Sequence, residues 1–288
     1  MAIARAEQFY DSIKYYSNIK DVVKRTKQEV EYLNDKCGSI ASLKRYFSIY
    51  RNYLRTNIEE DQKVSNNSLL RLLLEELKLS DKQQREYKEA QRKEINNAQE
   101  NLRKIYDVEQ YLNISVGLLS SVSVYNRILG VSALTGRRVG EVACSAKLRL
   151  LDNKTAIFEG QLKTRGRTNL KPYIIPVLYD CKTLVEALNS IRQSKPEFID
   201  EPALFNSIAS SKLSSKVKKH FLGIFEGEKK VKDLRAIYAE LSYDNYVKNE
   251  TGQYVTISKN KFFANVLGHS EDDIITCNSY LDFCLPKK

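Results

Sequence analysis

Apolar residues recur at helical spacing through the first eighty positions. Ile40, Leu43, Phe47, Tyr50 and Leu54 fall three or four residues apart, the interval that lines one side of a helix. Val22, Val23, Val30 and Leu33 do much the same, and S-L-L-R-L-L-L-E-E-L is rich in strong helix formers. No proline occurs before Pro172, which suits long uninterrupted helices. Ser80 then offers an N-cap. Residues 81–105 follow with twelve charged side chains, too many for a broad buried stripe, so this stretch reads as a solvated helix bridging two domains. A basic linker helix lying along DNA fits it as well as a coiled-coil arm or a plain spacer does. From residue 108 the pattern changes. The run from Tyr111 to Leu134 is the most apolar in the chain and is interrupted by Gly and Ser, as expected of one or two buried helices. T-A-I-F-E-G-Q-L and K-P-Y-I-I-P-V-L read as strands on either side of a polar loop. Further helices run to residue 248, and a last helical pair follows the polar loop N-E-T-G-Q-Y. The pattern predicts a mainly α protein with a small antiparallel β-sheet. An N-terminal helical domain would cover residues 1–79, a charged linker helix 80–107 and a second domain 108–288.

Composition narrows the class. With 288 residues, 42% of them hydrophobic, the chain can bury two cores. No apolar run approaches the roughly 18–20 residues that cross a bilayer, and M-A-I-A-R-A-E-Q has no apolar leader core, so a cytoplasmic protein without a membrane partner is expected. The net charge of +11 calls for a polyanionic partner, most simply nucleic acid. Five cysteines without a C-x-x-C pair, and two histidines, argue against a zinc site and for reduced thiols.

Five segments of the second domain carry candidate chemistry. In L-T-G-R-R-V-G-E-V, Arg138 and Glu141 are three apart, so on a helix they share a face, and the carboxylate can hold the guanidinium or cap the backbone and leave Arg138 aimed outward. Arg137 beside them could be a functional or an ordinary surface arginine and counts among the candidate DNA contacts. The loop between the two strands carries Lys163, Arg165 and Arg167, with Lys171 just beyond, a cluster suited to phosphates. In V-K-D-L-R-A-I-Y, Lys232 and Arg235 are again three apart, and a second arginine would let two guanidinium groups clamp one phosphodiester. V-L-G-H supplies His269 after a turn-forming Gly268. N-S-Y-L-D-F supplies Tyr280, one of eighteen tyrosines. Taken singly, each of these is more often a surface charge or a packed ring.

In order, the segments resemble the tyrosine recombinase family: a T-G-x-R-x-x-E box, a hairpin lysine, a second box ending in Arg, an L-G-H box and a late tyrosine. Arg138, Lys163, Arg235, His269 and Tyr280 occupy those positions, and the resemblance spans about residues 108–288. Most members carry His where this chain has Lys232. That substitution, with R-A-I-Y-A-E-L-S-Y, G-Q-L-K-T-R and the spacing from L-G-H to Tyr280, looks most like the protelomerases, or telomere resolvases. Those enzymes are usually longer, and this chain ends eight residues after Tyr280.

The resemblance implies a two-domain DNA clamp with a tyrosine-recombinase-like catalytic domain. Tyr280 would be the nucleophile in DNA cleavage and rejoining through a 3′-phosphotyrosyl link. Arg138, Arg235 and His269 would hold the phosphate, with Glu141 in support. Lys163 would be the general acid, and Lys232 would stand in for the second-box His. It also implies palindromic double-stranded DNA as partner, a homodimer on that DNA, covalently closed hairpin products, and no metal, ATP or other cofactor. A conventional tyrosine recombinase or integrase shares the same residues, and a DNA-binding protein without catalysis shares the charge.

Overall fold

The computed structural model describes residues 2–16, 18–60, 67–162, 171–249, 257–269 and 278–286. The chain folds as two compact units, Met1–Glu94 and Ile95–Lys288.

The first unit is built from helices α1 (Ala2–Ile13), α2 (Ile19–Lys36), α3 (Ile40–Glu60) and α4 (Asn67–Glu76), followed by most of α5 (Asp81–Glu100). Its core is the apolar stripe of the sequence: Leu43, Phe47, Tyr50 and Leu54 of α3 pack with Phe9, Leu33, Leu73 and Leu77. One carboxylate sits inside. Glu29 accepts from both ends of the Arg5 guanidinium at 2.8 Å, from Arg25 at 3.1 Å and from the Tyr50 hydroxyl at 2.8 Å. Burial works against its charge, but Arg5 and Tyr50 more than offset that and hold the carboxyl below its usual range. Ser80 caps α5 reciprocally: its hydroxyl accepts from the Gln83 amide at 3.3 Å while the Gln83 side chain accepts from the Ser80 amide at 3.0 Å. No residue of α5 is buried, as the charge density requires.

The second unit begins with a two-residue strand β1 (Arg103–Lys104), then α6 (Val108–Leu119), α7 (Val124–Thr135) and α8 (Val139–Cys144). Three strands follow, β2 (Lys147–Leu150), β3 (Thr155–Glu159) and β4 (Tyr173–Pro176). Then come α9 (Cys181–Ser194), a 3-10 turn (Pro196–Phe198), α10 (Pro202–His220), α11 (Val231–Asn249), α12 (Lys259–Leu267) and β5 (Phe283–Cys284). The apolar run resolves into two helices, with Ser120–Ser123 as the break. α7 is buried on every side from Ile128 to Thr135, which is why its sequence lacks amphipathic alternation. The sheet is antiparallel in the order β2-β3-β4, with Leu148 opposite Phe158 and Phe158 opposite Tyr173. A second, parallel pair joins β1 to β5, with Arg103 opposite Phe283. The end of the described chain is therefore extended where a helix was expected: the Arg103 amide donates to Asp282 O at 2.9 Å and the Ile105 amide to Cys284 O at 3.0 Å. Among the described residues, no helix is long and apolar enough to cross a membrane.

Candidate active site

The T-G-R-R box forms the joint between α7 and α8. α7 ends at Thr135, and Gly136 reverses the chain with φ 66°. A Cβ there would lie 2.0 Å from the Tyr238 ring, so only glycine fits both the left-handed backbone and the close packing. Arg138 is the N-cap of α8, in extended geometry, and Glu141 is the third residue of the helix. The sequence suggested a shared helix face; the pair is instead formed around the helix start. Glu141 accepts from the Arg138 amide at 3.0 Å and from the Arg138 guanidinium at 2.6 Å. Its side chain is 0% exposed. Burial alone would raise its pKa, but Arg235, Arg138 and Arg137 reverse that, and the carboxyl lies below its usual range. Burial likewise pulls Arg138 down, while Glu141 and the neighbouring Tyr280 side chain leave its net shift upward.

Arg235 projects from α11 into this joint. It is 3% exposed. It donates to the carbonyl of Gly136 and, at 2.6 Å, to that of Leu267, while its Nε has no hydrogen-bond partner in the protein. Burial, then repulsion from Arg137 and Arg138, lowers its pKa to about 10, so it remains a cation at neutral pH. Its guanidinium carbon lies 5.4 Å from the centre of the Tyr280 ring.

His269 follows Gly268, the left-handed cap of α12. A Cβ on Gly268 would meet the Tyr173 hydroxyl at 2.2 Å, and the Gly268 carbonyl accepts from the Gln161 side chain at 3.0 Å. The loop is thereby tied to β4 and to the residue after Gly160. The His269 and Tyr280 rings are 5.7 Å apart. Arg138, Arg235, His269 and Tyr280, separated by up to 142 positions in sequence, thus gather at one place. Lys171 and His269 line a cleft of about 350 Å³ together with Gln161, Tyr173 and Asn265. Lys232 stands on the exposed side of α11, 61% exposed, with its ammonium 3.9 Å from Asp282. Lys163, Arg165 and Arg167 lie outside the described residues.

Arg137 differs from its expected place at the DNA. It is 1% exposed. Its guanidinium donates to Thr135 O at 3.1 Å, to the Tyr173 hydroxyl at 2.5 Å and to Val266 O, and it lies 4.7 Å from the centre of the Phe158 ring. With every nitrogen engaged, it is an internal strut joining the T-G-R-R turn to α12 and the sheet. Two contributors to the site escaped the sequence reading. Tyr173 of β4 anchors Arg137, and Arg103 of β1 pairs bidentately with Asp233 of α11 at 2.8 and 3.2 Å. Arg103 and Asp233 are 130 positions apart, so no local pattern reveals them.

Solved structures show the same architecture. The described architecture matches protelomerase tela complexed with a DNA hairpin product, with a TM-score of 0.84 and 22% identity over 99% of this chain and 88% of that one. It also matches protelomerase tela covalently complexed with substrate DNA, at 0.83 and 23%. Protelomerase TelK complexed with substrate DNA matches at 0.65 and 19%, covering 98% of this chain and 63% of that one. The fold is therefore that of the protelomerases. In sequence, residues 101–283 match the telomere resolvase ResT/TelK catalytic domain, and the chain belongs to that family. A protelomerase of Klebsiella oxytoca phage phiKO2 is 26% identical over 184 residues, 59% of this chain and 28% of the relative. The telomere resolvase ResT of Borreliella burgdorferi is 25% identical over 181 residues, 62% and 39%. The chain thus spans roughly a third of the length of these relatives.

Proposed function

We propose that this protein cuts and reseals double-stranded DNA through a phosphotyrosyl intermediate and converts a palindromic telomere junction into two closed hairpin ends. The observation that carries the reading is the convergence of Arg138, Arg235 and His269 on Tyr280. The Tyr280 oxygen attacks the scissile phosphorus, a P–O(Tyr) bond forms, and the bond to the 5′ oxygen breaks. The proton lost by the phenol leaves to a base, and Lys163 gives one to the departing 5′ oxygen. A 5′ hydroxyl then attacks the phosphotyrosine, which releases Tyr280 and restores a phosphodiester. When that hydroxyl belongs to the opposite strand of the same duplex end, the product is a hairpin. The bond energy is conserved in the tyrosyl link, so resealing consumes no nucleotide.

Charge develops on the non-bridging oxygens during both steps. Preset cations in a dry site stabilise it without reorganisation. Arg235 suits that role because two carbonyls already fix its plane and its Nε is left to donate. Glu141 fixes Arg138 in the same way. Lys232 adds positive charge, and Lys171 meets a phosphate further along the strand. The N-terminal helical unit would supply the other half of the grip on DNA, the protein would act as a homodimer on its palindrome, and it would work in the cytoplasm with its DNA.

The test uses a palindromic duplex taken from the DNA flanking the gene. Snap-back strands that migrate as hairpins on a denaturing gel are expected. Joints between two different duplexes would instead assign the chain to conventional recombination.

A further inference from the structure

Among the described residues, Arg103 makes several of the contacts that join the Tyr280 segment to the rest of its unit. The Arg103 amide donates to Asp282 O at 2.9 Å and seats the segment as a strand. Its side chain packs on the next residue, with the guanidinium carbon 4.1 Å from the centre of the buried Phe283 ring. The same guanidinium reaches Asp282 at 3.5 Å and makes its two-point contact with Asp233, which is fully buried two positions before Arg235. Asp282 also faces Lys232 at 3.9 Å, so one carboxylate stands between Arg103 and a lysine of the proposed site. Arg103 therefore touches the start of the unit, the helix that bears Lys232 and Arg235, and the strand two residues past Tyr280. A two-residue strand pair has little stability of its own, and the side chains around it must supply the rest.

We propose that Arg103, acting through Asp233 and Asp282, is a positioning residue that sets where Tyr280 stands relative to Arg235. The proposal rests on Tyr280 being the nucleophile. In this role Arg103 acts on the geometry of attack rather than on DNA or the reacting atoms. Because Arg103 and Asp282 share a contact at 3.5 Å, the losses from removing each are less than additive. The contact with Asp233 is bidentate and planar, so lysine restores it only in part.

The experiment compares full-length wild type with Arg103→Ala, Arg103→Lys, Asp282→Asn, the Ala/Asn double variant and Tyr280→Phe, on the palindromic duplex named above. Three quantities are read: the dissociation constant for the duplex, the rate of covalent complex formation at saturating enzyme, and hydrogen exchange at the Arg103 and Ile105 amides. Arg103→Ala is expected to slow covalent complex formation about 10- to 100-fold, the scale of a misplacement near 1 Å, with the dissociation constant unchanged within about twofold. Exchange at the two amides rises, Arg103→Lys recovers part of the rate, and the double variant loses less than the sum of the two single losses. Unchanged rate or unchanged exchange in Arg103→Ala overturns the proposal, as does a loss carried wholly by DNA binding or additive losses in the double variant. A wild type that forms no covalent complex, matching Tyr280→Phe, removes the nucleophile reading itself, and that outcome is separate from any of these.

Discussion

Replacing Glu141 with Gln removes one negative charge from a buried cage of three arginines while keeping its shape. In the wild type the carboxylate accepts from the Arg138 guanidinium at 2.6 Å and from the Arg138 amide at 3.0 Å, with no exposure of its own. Removing one partner of a buried pair costs about 3–5 kcal/mol. The glutamine oxygen still accepts the amide, which returns about 1 kcal/mol. Arg138 is a fifth exposed, so solvent shields part of the remainder. The expected loss is about 2–3 kcal/mol, read in urea as a lower midpoint at unchanged slope. The pH dependence follows from the direction of the Glu141 shift. Its folded pKa lies below the ordinary 4.5, so its contribution is fully present above that value and fades as pH falls through the lower, folded one. The gap between wild type and Gln variant is therefore widest at neutral pH and closes in acid. Arg138 also loses its fixed aim, so covalent complex formation falls about 10- to 100-fold. A variant within about 0.5 kcal/mol of wild type at pH 7 would refute the claim that Glu141 holds the cage together.

Gly136→Ala combines a left-handed backbone with a Cβ 2.0 Å from the Tyr238 ring, and it displaces the carbonyl that receives Arg235. It is expected to destabilise by more than about 2 kcal/mol and to abolish cleavage, whereas wild-type melting would show the turn to be unstrained. Arg137→Met orphans the buried carbonyls of Thr135 and Val266, at about 1–3 kcal/mol each in denaturant. The slope of DNA affinity against salt stays the same in that variant, while a fall of about 0.9 would return Arg137 to the phosphate contacts.

Which parts of this were legible in the sequence depends on how local their causes are. The stripe of Leu43, Phe47, Tyr50 and Leu54 is a local period, and those residues are the core of the first unit. Ser80 announced a helix start as an N-cap, and the cap is there, with Gln83 completing it from the other side. The order of Arg138, Arg235, His269 and Tyr280 pointed to one site, and the fold gathers them, yet burial was not readable. Arg235 was expected as a phosphate-clamping side chain, and nothing in its local pattern showed that it would be nearly enclosed. Arg137 and Arg138 are adjacent identical side chains; only Tyr173 and the end of α12, far along the chain, decide that the first turns inward. The β1–β5 pair could not be anticipated either, because two-residue strands carry no period and Arg103 meets Asp233 and Asp282 across most of the unit.

The central claim is that Tyr280 joins itself to DNA. Wild type and Tyr280→Phe, each incubated with the palindromic duplex and run on a denaturing gel, test it directly. The account predicts a protein–DNA band that resists denaturation in wild type and is absent in the Phe variant, with duplex binding retained in both. A band that survives in Tyr280→Phe, or one missing from both proteins, would contradict it.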